Sequence, residues 1–518
     1  MKRLICLLLI PVLLIAPVMS FAENVEDSLV LGIYSTKTLE IRPFDPQERD
    51  ILSIYDMVYE SLITIDDDGL PEPYLAESWE VSDDGRTWTF TLRENLFFSD
   101  GSELTASDVA ASGQYILDMA ANEDINEQGF YRNMQYMVSK FEAKDDRTLV
   151  VTTTKSRPYY GLLYAMTFPV VPADQVDMSA PYGSGPYKFG AFEPENNYIW
   201  LTLNDYWWQA QPQVEEIVVS TFSSNSDLIS AYEYARVDTV FTRSVSASQY
   251  KSGNSSLSIT YSSRQLETLL MNFNEIPLDN LNVRRAIRAA INTALISSNV
   301  YMGMTIDTDT PIAPNSWLYY DQELIYQYDV ELAKQLLEEE GWIDSDDDGI
   351  LDKIIDGKKR NLRLRLYVYE DPDNNVRFET ANMIADMLEE LDMKIAITTM
   401  TFEEVQQKLE ANSFDLVLAS FQMDVVPDAG FMLMSGNTCN YGRYSSDTMT
   451  DLCKSLRQCV TQTEFAATWQ SIQQQFAEDI PFICLFYRAG AVLTRKMYSA
   501  VGDYREFELL RGIEDFGR

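Results

Sequence analysis

Between residues 362 and 420 the chain alternates three short apolar runs with two stretches of helical periodicity, and this succession constrains the fold more than any other feature. The runs 362–369, 393–399 and 414–420 have strand length. Between the first two, Ala381, Ile384, Leu388 and Leu391 share one helical face, and 402–411 reads as a second helix. Strand, helix, strand, helix, strand at this spacing is satisfied by a parallel or mixed sheet with helices laid over its faces. Upstream, Val283, Ala286, Ile287, Ala290, Ile291 and Ala294 line one face of another helix, with Arg284, Arg285 and Arg288 off it. A further helix over 329–340 stops at Gly341.

The first part of the chain has a different period. Residues 28–33 read as a short strand, and an amphipathic helix follows Pro43-Phe44-Asp45-Pro46 and ends near Leu62. A hairpin then runs from Trp79 to Arg93 around Asp83-Asp84-Gly85. Its returning strand alternates Trp88, Phe90 and Leu92 with Thr87, Thr89 and Thr91, the period of two of a half-buried strand. Thr105 and Asp108 mark a capped helix start. One part is therefore β-rich and a later part α/β. Nothing between them reads as a flexible linker, which predicts lobes that share their chain crossings.

The N-terminus reads Met1-Lys2-Arg3, then apolar from Leu4 to Val18, then Ser20-Phe21-Ala22. That is the layout of a secretory signal peptide, residues 1–22, cut after Ala22. Pro11, Pro17 and the short run count against a spanning helix, which needs about 20 apolar residues. A periplasmic or extracellular protein is expected. Acidic residues number 80 against 40 basic ones, and losing Lys2 and Arg3 takes the formal net charge from −40 to −42. Such a surface repels phosphate backbones, so no nucleic acid is expected as a partner. Cys439, Cys453, Cys459 and Cys484 permit three pairings, among which the sequence does not choose. Histidine is absent, which removes Ser-His-Asp and Cys-His mechanisms and the usual histidine-bearing zinc site.

Several motifs occur in a fixed order. Pro73-Tyr74-Leu75-Ala76-Glu77-Ser78-Trp79 leads through the hairpin to Phe98-Ser99-Asp100-Gly101 and Leu104-Thr105-Ala106-Ser107-Asp108-Val109. Gly183-Ser184-Gly185-Pro186-Tyr187, Asn204-Asp205-Tyr206-Trp207, Asn272-Phe273-Asn274 and Val283-Arg284-Arg285-Ala286-Ile287 follow. Then come Ala333-Lys334-Gln335-Leu336-Leu337 with Gly341-Trp342, and finally Pro481 with Leu485-Phe486-Tyr487. Together they resemble the family 5 extracellular solute-binding proteins, which serve peptide and nickel importers. The resemblance covers essentially the whole mature chain. It implies an α/β, periplasmic-binding-protein-like fold with a two-lobed cleft (type II, the large three-part form) and mixed sheets. Lobe I would comprise 23–60, 183–268 and 485–518, the β-rich subdomain II 61–182, and the α/β lobe III 269–484, with the ligand enclosed by hinge closure. The implied function is capture of a peptide or peptide-sized solute by a monomeric, non-enzymatic receptor without cofactor. Its partners would be an ABC permease and its ATPase subunits in the membrane.

The resemblance also points to Ser420-Phe421-Gln422-Met423-Asp424. In peptide-binding relatives the matching segment runs along the ligand, and its acid meets the peptide's N-terminal ammonium. Asp424 is thus the expected amine partner, since a buried cation needs a counter-charge. Phe421 would supply apolar surface, and the backbone of Ser420 and Gln422 would pair with an extended ligand as an added strand. Two departures stand out. Val425 follows Asp424 where relatives carry an aromatic, with the acid-proline order reversed as Pro427-Asp428. The loop after strand 362–369 reads Glu370-Asp371-Pro372-Asp373, without the arginine that holds a dipeptide's carboxylate. Arg443 is an alternative anion partner.

Asp344-Ser345-Asp346-Asp347-Asp348-Gly349 with Asp352 has the acid spacing of a calcium loop. Position twelve is Ile355 rather than glutamate, so an acidic turn without metal is expected. A carrier for an oligosaccharide, a metal chelate or another amine is the alternative within the family. From another class, a secreted carboxylate-dependent hydrolase has no motif to single out its acids. Ser248-Gln249-Tyr250-Lys251 stands without companion motifs.

Overall fold

The computed structural model describes residues 28–36, 40–46, 50–122, 130–154, 159–193, 198–253, 256–320, 327–370, 375–495, 505–506 and 508–510. The expected signal peptide, 1–22, lies outside the described residues.

Among the described residues a single sheet of eleven strands passes through both lobes. Its middle is the long strand Ser256–Met271 paired antiparallel with the C-terminal strand Phe482–Arg495. Beyond the Met271 end of the long strand lie Leu416–Gln422, Arg363–Tyr369 and Lys394–Met400, the last three parallel to one another. Beyond the Arg495 end of the C-terminal strand lie Thr239–Thr242, Ser28–Tyr34 and Glu216–Phe222, then Tyr198–Leu203 and Tyr187–Glu193. The two middle strands therefore belong to both halves of the sheet. Their pairing shifts register between Ser262, opposite Ala489, and Leu266, opposite Tyr487. A break of this kind locally releases the ladder and bends the strands.

The α/β half follows the periodicity. Helices Val376–Glu389 and Phe402–Glu410 connect the parallel strands, and the second begins in a capping box between Thr401 and Glu404. Two readings need correction. The helix of Val283 ends at Ala290, and Ala294 belongs to a separate helix, Thr293–Val300. Arg284 is buried rather than off the apolar face. Its guanidinium donates to the carbonyls of Asp479 (2.9 Å) and Ile480 (3.1 Å), at the C-terminus of the helix Gln462–Asp479, and to those of Leu278 and Asp279 (3.0 Å each). Cations favour that end of a helix because its last carbonyls lack intrahelical partners.

The β-rich part is a four-stranded antiparallel sheet in the order Ala76–Val81, Thr87–Leu92, Thr148–Thr153, Val138–Ala143. Trp88, Phe90 and Leu92 face its core, covered by the helix Ala106–Ala121, whose Thr105–Asp108 capping box is formed. Where this part meets the helix Leu52–Val58, Glu60 is fully buried. Its Oε1 accepts from the indole N–H groups of Trp208 (2.7 Å) and Trp207 (3.0 Å). Burial raises its carboxyl to about 7, against the lowering effect of those hydrogen bonds.

Candidate functional site

Beside the register break lies a cavity of about 460 Å³, within the range of about 300–1,000 Å³ usual for small-molecule sites. Its wall is assembled from distant stretches: Ile65, Asp67, Gly69 and Tyr164 of the β-rich part, Ile259 to Arg264 of the long strand, Ile306, Pro311 to Ala313, Asn315 to Leu318, Met423 to Asp428, and Arg505, Glu506 and Glu508. Trp317, Trp469 and Tyr487 supply aromatic surface. Their polar tips bind the wall itself: Trp317 Nε1 donates to Tyr164 Oη (2.8 Å), Trp469 Nε1 to the Pro427 carbonyl (3.1 Å) and Tyr487 Oη to the Pro311 carbonyl (2.6 Å). Trp317 is partly exposed there, whereas Trp469 and Tyr487 are buried behind the lining.

The wall is also charged. Asp428 is held by Arg457, with contacts of 2.6 and 3.1 Å. Glu508 pairs with Arg505, which also donates to the carbonyls of Ile65 and Asp66. Buried Glu506 accepts from Arg243 (3.0 Å) and from the backbone N–H of Arg264 (2.5 Å). Burial lowers the Arg264 guanidinium from its ordinary range, and Glu508, Glu506 and Asp424 oppose that shift.

Of the five residues expected at the ligand, Asp424 lines this cavity. It follows the strand Leu416–Gln422 by two positions. Its carboxylate accepts from the side-chain amide of Asn133, in the β-rich part, and from the Val426 N–H (3.3 Å). The acid thus reaches across from the α/β half. The other four are not on the cavity's lining. Ser420 Oγ donates to Glu267 Oε2 and accepts from Arg377, both at 2.6 Å, within a buried Glu267–Arg377 pair. Phe421 packs among Phe431 and Phe482. Gln422 is exposed and pairs in register with Gln265. Exposed Arg443 donates to the Glu410 carbonyl (3.4 Å). The ladder from Leu416–Gln422 to the long strand runs its full length, whereas that to Arg363–Tyr369 spans Leu416 to Leu418.

Arg264, Arg505, Glu506, Glu508 and the aromatic wall escaped the sequence reading. The one signal was a short charged and polar stretch, Arg264, Gln265 and Glu267, in the middle of a strand otherwise built from apolar, serine and threonine residues.

Carboxylate oxygens of Asp344, Asp346 and Asp348 lie within 4.8 Å of one another. The Lys359 ammonium stands 2.5 Å from Asp346 and 3.1 Å from Asp352. The four cysteines are unpaired thiols, three of them buried, and burial pushes Cys453 up to about 12. Among the described residues no helix is long and apolar enough to cross a membrane.

This fold and cleft define a two-lobed binding protein, and comparison with known proteins places it further. Residues 71–443 match the model of the bacterial extracellular solute-binding proteins, family 5, and the chain belongs to that family. It is similar to the oligopeptide-binding protein AppA of Bacillus subtilis, 24% identical over 486 residues, covering 89% of this chain and 84% of that protein. It also resembles heme-binding protein A of Haemophilus influenzae, 27% identical over 295 residues, which is 52% of this chain and about half (54%) of that protein. The crystal structure of NikA from Brucella suis in complex with Fe(III)-EDTA superposes with a TM-score of 0.78 at 20% identity, over 94% of this chain and 99% of the other.

Proposed function

We propose that the chain is the exported, monomeric receptor of an ABC importer, that it captures a short peptide, and that it hands the peptide unchanged to a membrane permease driven by ATPase subunits. The observation that carries this reading is Asp424, on the wall of a partly open cavity with aromatic residues in its lining, beside the two strands that join the lobes. The carboxylate is the counter-charge for the peptide's ammonium. The aromatic faces receive side chains with little regard for sequence. The similarity to an oligopeptide-binding protein over most of both chains supports the same reading. Cleavage after Ala22 would release the mature receptor.

The reading is tested with a tryptic casein hydrolysate. Bound ligand stabilises the native state by mass action, so the hydrolysate should raise the unfolding temperature, and mass spectrometry should recover the bound peptides intact. Shortened products would replace the carrier by a hydrolase. An unmoved unfolding temperature, with a metal chelate or oligosaccharide recovered instead, would replace the peptide.

A further inference from the structure

We propose that an aromatic latch between the β-rich part and the α/β half holds the cleft shut by itself, so that shut is the resting state and solute enters or leaves only when the latch opens. This inference goes beyond the carrier reading and does not depend on which solute is bound.

The latch has two sides. The β-rich part contributes Tyr159, Tyr160 and Tyr164, on and just before the short helix Leu162–Ala165. A Cβ on Gly161 would stand 2.5 Å from the Tyr159 ring, so glycine lets that ring fold back over its own chain. The α/β half contributes Phe465, on the helix Gln462–Asp479, and Trp317. Gln473 of that helix fixes the stretch that carries Trp317. Its Nε2 donates to the Leu318 carbonyl at 2.8 Å, and its Oε1 accepts from the Tyr320 N–H at 3.1 Å.

The sides meet ring to ring. Phe465 lies 5.4 Å from Tyr160 and 5.8 Å from Tyr159, centre to centre, and Tyr160 meets Trp317 edge-on at 6.5 Å. Tyr159 and Tyr160 are buried at 1% and 9% exposure, and Phe465 is fully buried. Two polar links cross with them. The Tyr160 N–H donates to the Cys459 carbonyl at 2.6 Å. The Trp317 indole donates to the Tyr164 hydroxyl (2.8 Å), which donates in turn to the Gly69 carbonyl (2.9 Å). Tyr164 and Trp317 also line the cavity, so the latch borders the site.

All of these are contacts of the chain with itself, and their free energy is present whatever the cavity holds. A solute shifts a conformational equilibrium only by its differential affinity for the two states, and here the shut state has a bias of its own. Each ring pair is worth a factor of about 2–13 in an equilibrium, and those named together favour the shut state by on the order of 100-fold. The strands that join the halves carry a register break, which bends rather than resists. A latched cleft is preorganised for its solute, and it slows both entry and release.

Hydrogen exchange read by mass spectrometry tests this on the whole protein, freed of co-purifying solute by unfolding, dialysis and refolding. The Tyr160 amide is the reporter, because its acceptor lies on the other half. In solute-free wild type it should exchange on the order of 100-fold more slowly than in an unstructured peptide. Tyr160→Ala should lose at least about tenfold of that protection, and Tyr160→Phe, which keeps the ring, should retain it. Protection of the strand Thr87–Leu92 should be the same in all forms, which separates latch opening from unfolding. Should Tyr160→Ala not fold, Trp317→Leu removes a partly exposed ring from the other side and should show the same loss. Peptides of a tryptic casein hydrolysate, loaded and then washed out, should leave Tyr160→Ala at least about tenfold faster than wild type. A Tyr160 amide that exchanges freely in solute-free wild type, and is protected only once hydrolysate is added, would overturn the proposal, since the solute would then make the closure. So would protection left unchanged by both Tyr160→Ala and Trp317→Leu. Retention of no peptide by any form would remove the peptide reading, and amide exchange alone would then decide the latch.

Discussion

The long strand Ser256–Met271 carries one charge inside its register break and another beyond it, and the two places use charge differently. On the Met271 side Glu267 meets Arg377 in a pair whose side chains are 1% and 3% exposed. Ser420 and Gln265 bond the same carboxylate, and the Arg377 guanidinium lies 4.2 Å from the centre of the Tyr369 ring. Inside the break, three residues earlier, Arg264 lines the cavity with Asp424 and Glu508. A charge closed by its own protein holds the fold. On the cavity wall, by contrast, the acids nearest Arg264 are shared with Arg243 and Arg505. The sequence alternates along one strand, so burial at each place, rather than residue type, decides the role.

The largest effect that would sharpen this contrast is at Glu267. Glu267→Ala leaves Arg377 buried without its counter-charge, at an expected cost of about 3–5 kcal/mol in folding stability, measured by chemical denaturation. Glu267→Met with Arg377→Met should recover most of it, because a packed apolar pair replaces the ion pair. A loss below about 1 kcal/mol would show that the two places do not differ as described.

At Asp424 the expected loss is in binding. Asp424→Asn keeps the shape and removes the charge, and it should weaken capture of a free peptide by about 2–5 kcal/mol in calorimetry. N-acetylation of the peptide should reproduce that loss in wild type, and the variant should hardly distinguish the two peptides. A wild type that binds both equally well would detach Asp424 from the ammonium.

Glu60 offers an intermediate test, because it is as buried as Glu267 yet has no cation. With its carboxyl raised from 4.5 to about 7 by burial, the native state holds a proton that the unfolded chain gives up. Its contribution is fully present below about pH 4.5 and is lost as pH rises through 7. Glu60→Gln keeps an acceptor for both indoles and does not titrate. Relative to wild type it should be near neutral at pH 4 and more stable by about 3 kcal/mol at pH 8, at 1.36 kcal/mol per pKa unit. A constant difference across that range would place the titration elsewhere.

Much of the fold was legible because its signals are local. The alternation at Trp88, Phe90 and Leu92 and the caps at Thr105 and Thr401 each need only a few neighbouring residues. Arg284 was misread because periodicity counts arginine as polar. In the structure its guanidinium lies 4.0 Å from the centre of the Phe273 ring and spends its donors on four carbonyls. The site was less legible still. Asp424 was reached through resemblance, and the neighbours of Arg264 come from Met423 and from Glu506 and Glu508, more than 150 and 240 positions away along the chain. No local pattern brings those segments together.

The smallest expected effect concerns the acids of residues 344–352, of which Asp346 and Asp348 are exposed and Asp352 is buried. Calcium takes about six to eight oxygen ligands, and here the turn uses its own oxygens. Asp344 accepts from the N–H groups of Asp348 (3.1 Å) and Gly349 (2.9 Å), and Asp348 accepts from that of Ile350 (3.0 Å). Asp352 accepts from both the N–H and the hydroxyl of Ser345. The Lys359 ammonium, beside Asp346 and Asp352, supplies the positive charge that a metal would bring. Asp352 is buried, but the Lys359–Asp346 contact is exposed, and pairs of that kind contribute little to stability. Asp346→Ala should therefore leave the unfolding midpoint unchanged within measurement error, and neither chelator nor added calcium should move it in wild type. A chelator-induced drop that calcium reverses, and that Asp346→Ala abolishes, would show that an exposed acidic turn can be as closed by a metal as Glu267 is by Arg377.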